Sequence, residues 1–383
     1  MNDTRADDPF EQAKVHFLAG LEAYRAGDDA LAEQRYLASL ALVPGRASTL
    51  TNLAATQLRL GRPHDALKHA MAALAVSADD MDALLQRGTA LAQLGRTDEA
   101  LIVFDRMLAQ DIDHGLAWSR RGSLLREMQR YDEAAHAFKN ALRLGADEAL
   151  HRYYLAAVDA SETPRTAPVA YVQGLFDAYA GDFEQHLVDQ LRYCAPQRLV
   201  DGLATAPHSA LTRALDLGCG TGLCAPWLRP LVRQLTGIDL SERMLDIARG
   251  LNLYDHLEQA ELTAFLARTD MHFDLVVAAD VLIYLGDLAP LFNGVRRVMD
   301  RGVFCFTVET DVASDAQPDA QTLATRGSVA DYCLLPSLRY AHREAYLRRL
   351  AAQHGFSVIA MQPGPVREEQ TRTVDGLYVY LGA

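Results

Sequence analysis

Ala214-Leu215-Asp216-Leu217-Gly218-Cys219-Gly220-Thr221-Gly222 decides the fold of the C-terminal half of this 383-residue chain. An apolar run with one acid breaks into glycines at 218, 220 and 222, where the backbone can turn tightly and bring its N–H groups close to a ligand. The pattern predicts a short buried strand, a glycine turn and a helix from Leu223 to Leu231 whose positive end faces the same spot. A nucleotide-like ligand at the carboxyl end of a parallel strand is the expectation. A dinucleotide-binding turn needs a third small residue three positions after its second glycine, to pack helix on strand. Leu223 stands there instead, and the third glycine comes early, at 222.

From Leu211 onward, strand and helix patterns alternate, which calls for a doubly wound parallel sheet. Strands are expected at Ala214–Leu217, Gln234–Ile238, His256–Ala260, Phe273–Ala279, Gly302–Val308, Phe356–Met361 and Leu377–Leu381. Helices are expected at Pro226–Leu231, Glu242–Arg249, Leu288–Val298 and Arg343–His354. Asp239 ends the second strand, 23 residues after Asp216, where a carboxylate can accept hydrogen bonds from both ribose hydroxyls. Ser241 and Glu242 then fit an N-cap and an acidic first turn.

Upstream, the chain repeats. Gly27, Gly61, Gly95 and Gln129 are spaced by 34 residues. At fixed offsets after them come Ala32, Ala66, Ala100 and Ala134, then Tyr36, Ala70, Phe104 and Phe138, then Ser39, Ala73, Met107 and Ala141. Seven positions before each turn stand Gly20, Ala54, Gly88 and Gly122. Such small residues let antiparallel helices approach closely while larger ones fill the space between hairpins. A capping helix is expected over Ala149–Ala160, and the Pro-containing stretch 161–168 reads as a linker.

Bulk properties exclude several classes. Half of the residues are hydrophobic, yet no run reaches the ~18–20 apolar residues of a membrane span, and Met1–Phe10 has no apolar signal core. The reading is therefore a cytoplasmic protein. The net charge of −13 is spread over both halves without a basic run, which argues against nucleic acid or an anionic membrane as a partner. Five scattered cysteines (Cys194, Cys219, Cys224, Cys305, Cys333) suggest reduced thiols rather than a zinc site or a disulfide framework.

The glycine turn, with Asp216 two positions before its first glycine, resembles motif I of class I S-adenosylmethionine-dependent methyltransferases. The 34-residue unit resembles the tetratricopeptide repeat (TPR), most fully in the copy with Trp118, Gly122, Ala134 and Phe138. The two together, with Tyr171–Ala180 and Ala279–Leu288, are similar to the bacterial family described as predicted methyltransferases containing TPR repeats. The resemblance implies a multidomain α + α/β chain. A TPR helical solenoid of four repeats and a capping helix (1–160) would precede a Rossmann-like, seven-stranded class I core (169–383).

It also implies S-adenosylmethionine as cofactor and S-adenosylhomocysteine as product. The cofactor-binding set would be Asp216, Gly218, Cys219, Gly220, Gly222, Asp239, Leu240, Glu261, Leu262 and Asp280, with Tyr171 and Tyr179 on a gating helix over Val169–Val188. Glu261 would face the adenine amino group, with Glu258 as its rival by one register. Asp280, at the end of the fourth strand, would orient the sulfonium side of the cofactor or take a proton from the acceptor, helix capping being the structural alternative. His342 is the second candidate base, and Glu309 a third.

The stretch 310–341 is longer than the sheet requires and reads as an acceptor lid, with Tyr332, Arg339, Tyr340 and His342 as its chemically useful members. Arg339 or Arg343 could hold an anionic acceptor. The acceptor itself, a small molecule or a carrier-bound group, stays open. A groove lined by Asn52, Arg59, Gln86, Arg120 and Arg126 would receive a protein or peptide partner, or a second copy of the chain in a homodimer. A non-catalytic scaffold is the competing reading.

Overall fold

The computed structural model describes residues 8–159, 163–179, 195–203, 211–310, 331–369 and 372–383, and the chain divides into two compact units, Met1–Asp159 and Ala160–Ala383. Among the described residues, no helix is long and apolar enough to cross a membrane.

The first unit is a run of helical hairpins: α1 (Pro9–Ala26), α2 (Asp29–Leu42), α3 (Ala47–Arg59), α4 (Pro63–Val76), α5 (Met81–Gln93), α6 (Thr97–Gln110), α7 (Gly115–Glu127), α8 (Tyr131–Arg143) and the terminal α9 (Glu148–Asp159). The turn residues at the 34-residue step all take positive φ: 82° at Gly27, 70° at Gly61 and Gly95, and 59° at Gln129. Glycine adopts that region freely, whereas Gln129 does so against its Cβ. Within each hairpin, side-chain size is complementary. A Cβ added to Gly20, Gly88 or Gly122 would lie 2.7, 2.7 or 2.6 Å from the ring of Tyr36, Phe104 or Phe138. In the second copy both partners, Ala54 and Ala70, are small and fully buried.

Among the described residues, the second unit is built on a nine-stranded sheet: β1 (Arg213–Leu217), β2 (Gln234–Asp239), β3 (His256–Gln259), β4 (Leu275–Ala278), β5 (Val303–Glu309), β6 (Tyr332–Leu334), β7 (Tyr340–His342), β8 (Ser357–Glu369) and β9 (Arg372–Gly382). β3, β2, β1, β4 and β5 run parallel in that order, and β9 pairs antiparallel along β5 and with β8. Alternate residues serve two cores, as a two-residue strand period requires. Leu215, Val276, Phe304 and Phe306 face α14 (Leu262–Arg268), α15 (Ala289–Val298) and α16 (Glu344–Gln353). Ala214, Leu275, Val277 and Cys305 face α11 (Ala195–Leu203) and α12 (Ala225–Leu228).

The structure adds detail to four sequence expectations. The seven anticipated strands are present, but 310–341 adds the β6–β7 hairpin, which joins the sheet where Ala341 pairs with Glu309; residues 311–330 of the expected lid lie outside the described residues. The last hairpin is far longer than expected. Pro363 and Pro365 lie within β8, which among the described residues pairs only with β9, so the missing N–H groups fall on an edge, where proline is tolerated. Residues 163–168 do not run free. Thr166 bridges Leu285, Ala167 N–H donates to Tyr284 O at 2.9 Å, and Arg165 O accepts from Gly286 and Asp287 N–H at 2.8 Å each. The gating helix is α10 (Val169–Tyr179); the expected continuation to Val188 lies outside the described residues, as do Cys194 and the side chain of Tyr179.

Candidate cofactor and acceptor site

The glycine turn leaves β1 with φ of 66° at Gly218, 55° at Gly220 and 93° at Gly222, all in the left-handed region. The three glycines differ in what surrounds them. A Cβ on Gly218 would meet Val281 Cγ2 at 2.4 Å and one on Gly222 would meet Leu251 Cδ1 at 2.7 Å, whereas one on Gly220 meets nothing within 4 Å. Gly218 and Gly222 are packed, and Gly220 faces open space. Beside it, Thr221 Oγ1 is buried with no hydrogen-bond partner among the described residues. A bare backbone face next to an unsatisfied hydroxyl is what a polar ligand needs for close approach.

The helix beyond the turn corrects an expectation. α12 is four residues long and passes into a 3-10 turn at Arg229–Leu231: Pro226 fits its first turn, and Pro230 lacks the N–H that would continue it. So short a helix carries little dipole, and the turn's own N–H groups supply the local positive potential.

One of those groups has a partner. Gly220 N–H donates to Asp239 Oδ2 at 2.9 Å, and Ser241 N–H donates to Oδ1 at 2.8 Å. Asp239 ends β2 at 8% exposure, and burial pushes its pKa up against the pull of these N–H groups. Leu240 follows it, its carbonyl accepting from Gln259 Nε2 at 2.9 Å. Ser241 opens α13 (Glu242–Gly250) as its N-cap.

Asp216 lies behind the turn rather than on its open side. At 1% exposure it accepts from Tyr254 O–H at 2.7 Å, and burial lifts its pKa to about 7. Through this hydrogen bond Asp216 ties the end of β1 to Tyr254. Cys219 belongs to the same underside: its Sγ stands 2.9 Å from where a Cβ on Gly237 would be, and burial pushes its thiol pKa up.

At the end of β3 the two glutamates separate. Glu258 pairs with Arg268 and lies 3.4 Å from His256. Glu261 caps α14, accepting from Ala264 N–H and Thr263 O–H at 2.7 Å and from Thr263 N–H at 3.1 Å, and Leu262 behind it is buried.

The carboxyl ends of β4 and β5 hold a charged cluster. Asp280 has φ of 56°, and its N–H donates to Thr307 Oγ1 at 2.7 Å. Its carboxylate accepts from Arg367 Nη1 at 2.8 and 3.1 Å, and the other end of that guanidinium pairs with Glu309. The β-bulge between Pro365 and Arg367 marks the place where the arginine side chain, 2% exposed, enters the sheet end. Burial raises the Glu309 pKa, opposed by Arg367 and by Arg339, whose Nη1 is 4.0 Å away. Tyr284 closes this end, with burial pushing its hydroxyl up to about 12.

His342 is corrected as a catalytic candidate. It sits in β7 at 1% exposure, its Nε2 donates to Gly286 O at 3.1 Å, and it stacks on Tyr346. Burial drops its pKa to about 4, so the ring is neutral, and its Nε2 is committed to the Gly286 carbonyl. In the repeats, Asn52 donates to its own Ser48 O at 2.8 Å, while Arg59 pairs with Asp29 at 3.1 Å and stacks on Tyr24. Arg126 lies 3.5 Å from Glu127, Gln86 is half-buried, and Arg120 is exposed.

The family model described as Methyltransferase domain matches residues 215–307, which span the glycine turn, Asp239, Glu261 and Asp280. The Tetratricopeptide repeat model matches residues 51–114 and 119–158. This chain joins tetratricopeptide repeats to a methyltransferase domain. Such a domain implies S-adenosylmethionine as its cofactor. The chain is 33% identical over 104 residues to Nodulation protein S of Rhizobium tropici, covering 27% of this chain and 42% of that protein. It is 30% identical over 150 residues to Malonyl-[acyl-carrier protein] O-methyltransferase of Enterobacter lignolyticus, covering 39% and 56%. The chain thus spans about half the length of the curated relatives it matches. Among solved structures, magnesium protoporphyrin IX methyltransferase of Synechocystis PCC 6803 with bound S-adenosylhomocysteine is 18% identical, with a TM-score of 0.41, covering 56% of this chain and 98% of that one.

The methyltransferase domain also uses residues the sequence reading passed over. Tyr254 was hidden because its partner, Asp216, lies 38 residues away. Arg367 sits in a Pro-Gly-Pro stretch that carried no strand signal.

Proposed function

We propose that this protein transfers a methyl group from S-adenosylmethionine to an acceptor held at the carboxyl ends of β4 and β5, and releases S-adenosylhomocysteine. The observation that carries this is Gly220: left-handed, open on its outer face, with its N–H fixed on the Asp239 carboxylate. In this reading Asp239 takes the ribose hydroxyls, Glu261 and Leu262 flank the adenine, and the turn's backbone and Thr221 take the amino-acid end. The bound cofactor supplies an electrophilic methyl on a cationic sulfur. The chain's part is alignment and exclusion of water, which account for most of the rate in an in-line transfer. Asp280 is held by Arg367, so it fixes the geometry and charge of the acceptor end rather than serving as a free base.

The acceptor is a small molecule or a carrier-bound group, and the repeats recruit a protein or carrier that presents it. Calorimetric titration with S-adenosylmethionine, S-adenosylhomocysteine and NAD tests the reading. Binding of both adenosyl ligands but not NAD, lost in Asp239→Ala, is the expected result. No adenosyl binding would leave the repeats as the working half of the molecule.

A further inference from the structure

α10 carries a carboxylate that the site described above does not use. Asp177 Oδ1 accepts the hydroxyl proton of Ser241 at 2.5 Å, and the Asp177 carbonyl accepts from Arg243 Nη1 at 3.1 Å. Ser241 is the same residue whose backbone N–H holds Asp239 and whose Oγ accepts from Met244 N–H at 3.2 Å to cap α13. A hydroxyl has one proton to give, and here it goes to Asp177. The contact is therefore directional: Asp239 is held by the backbone of Ser241, and α10 by its side chain. One residue earlier, Phe176 packs edge-on against Tyr284 with ring centroids 5.6 Å apart. α10 thus touches the ribose end of the site through Asp177 and the acceptor end through Phe176.

We propose that Asp177 is a positioning residue for the cofactor, clamping α10 to the ribose end through the Ser241 hydroxyl so that nucleoside binding and helix docking strengthen each other. The inference rests on the reading that Asp239 takes the ribose hydroxyls. A charge-assisted hydroxyl–carboxylate bond at this distance is among the stronger neutral–ionic contacts. It also places two carboxylates beside one serine, and Asp177 contributes to the raised pKa of Asp239. A ligand that donates two hydroxyl hydrogens to Asp239 offsets that repulsion, so its binding favours the docked helix, and by linkage the docked helix favours its binding. The same pair of charges selects a nucleoside with free 2′ and 3′ hydroxyls and repels one phosphorylated on the ribose.

The test is calorimetry and hydrogen–deuterium exchange on the full chain with S-adenosylhomocysteine as probe. In the wild type the ligand slows exchange of the 171–179 amides. Asp177→Ala weakens binding about tenfold, close to the loss of one such contact, and ligand protection then stays confined to the glycine turn and α13. Asp177→Asn keeps an oxygen that can accept the Ser241 proton and restores helix docking and most of the affinity, while without the second charge the ligand adds less protection to α10, which separates positioning from a general loss of stability. Asp177→Ala binding at wild-type strength, or retaining ligand protection of α10, overturns this inference alone. Wild-type protein that does not bind S-adenosylhomocysteine overturns both this inference and the reading beneath it.

Discussion

Gly88 in the repeats and Gly220 in the methyltransferase domain lack a side chain for opposite reasons. A Cβ on Gly88 would stand 2.7 Å from Phe104, in space the protein has already filled; a Cβ on Gly220 would stand in open space. The first glycine serves packing between two helices, and the second leaves room for something that is not protein. The same contrast runs through the charges. Arginines of the repeats pair at the surface, as Arg96 does with Glu99 and Arg130 with Glu133. Arg367 instead pairs with two carboxylates in the interior. Periodic sequence signals packing, while a local departure from what packing needs signals a site.

The largest expected effect comes from breaking the buried pair. Arg367→Met takes the shared guanidinium from Asp280 and Glu309, leaving Arg339 4.0 Å from Glu309, and should destabilise the methyltransferase domain by roughly 3–5 kcal/mol, read as a lowered urea midpoint. Arg96→Ala, at an exposed pair of the repeats, should change stability by less than about 1 kcal/mol.

The next is a pH dependence. His342 has its pKa pushed down to about 4, so between pH 4 and 6.5 the unfolded chain binds more protons than the folded one. Its contribution is fully present above pH 6.5 and is lost as pH falls to 4, a change of about 3 kcal/mol. Asp216, raised to about 7, acts in the opposite direction as pH rises from its ordinary value. The difference in unfolding free energy between wild type and His342→Gln, which keeps a donor toward Gly286, isolates the histidine; a flat difference from pH 4 to 6.5 would contradict its buried, neutral placement.

How much of this was legible depended on range. The 34-residue period, the strand–helix alternation and the glycine turn are local, so the repeats and the placement of the main strands follow from them, whereas the order of strands in the sheet does not. The places of Asp239, at the end of one expected strand, and of Glu261, just after another, are legible from the strand pattern. The Asp280–Arg367 pair was not, since its members lie 87 residues apart and the bulge that brings them together has no signature of its own. His342 was chosen for its chemistry, and only its burial showed that the chemistry is suppressed.

Smaller effects sharpen the glycine contrast. Gly88→Ala forces Phe104 out of its place and should cost about 1–3 kcal/mol of repeat stability by overpacking, with no change in ligand binding. Gly220→Ala meets no atom, so its stability cost is only the ~1–2 kcal/mol of a left-handed alanine, while the ligand-facing backbone is blocked.

The most direct test is therefore a calorimetric titration of wild type, Gly88→Ala and Gly220→Ala with S-adenosylhomocysteine. Affinity should be unchanged in Gly88→Ala and at least about tenfold weaker in Gly220→Ala, although the two cost similar stability. Equal binding by wild type and Gly220→Ala would contradict the claim that the open face of Gly220 is where the cofactor lies.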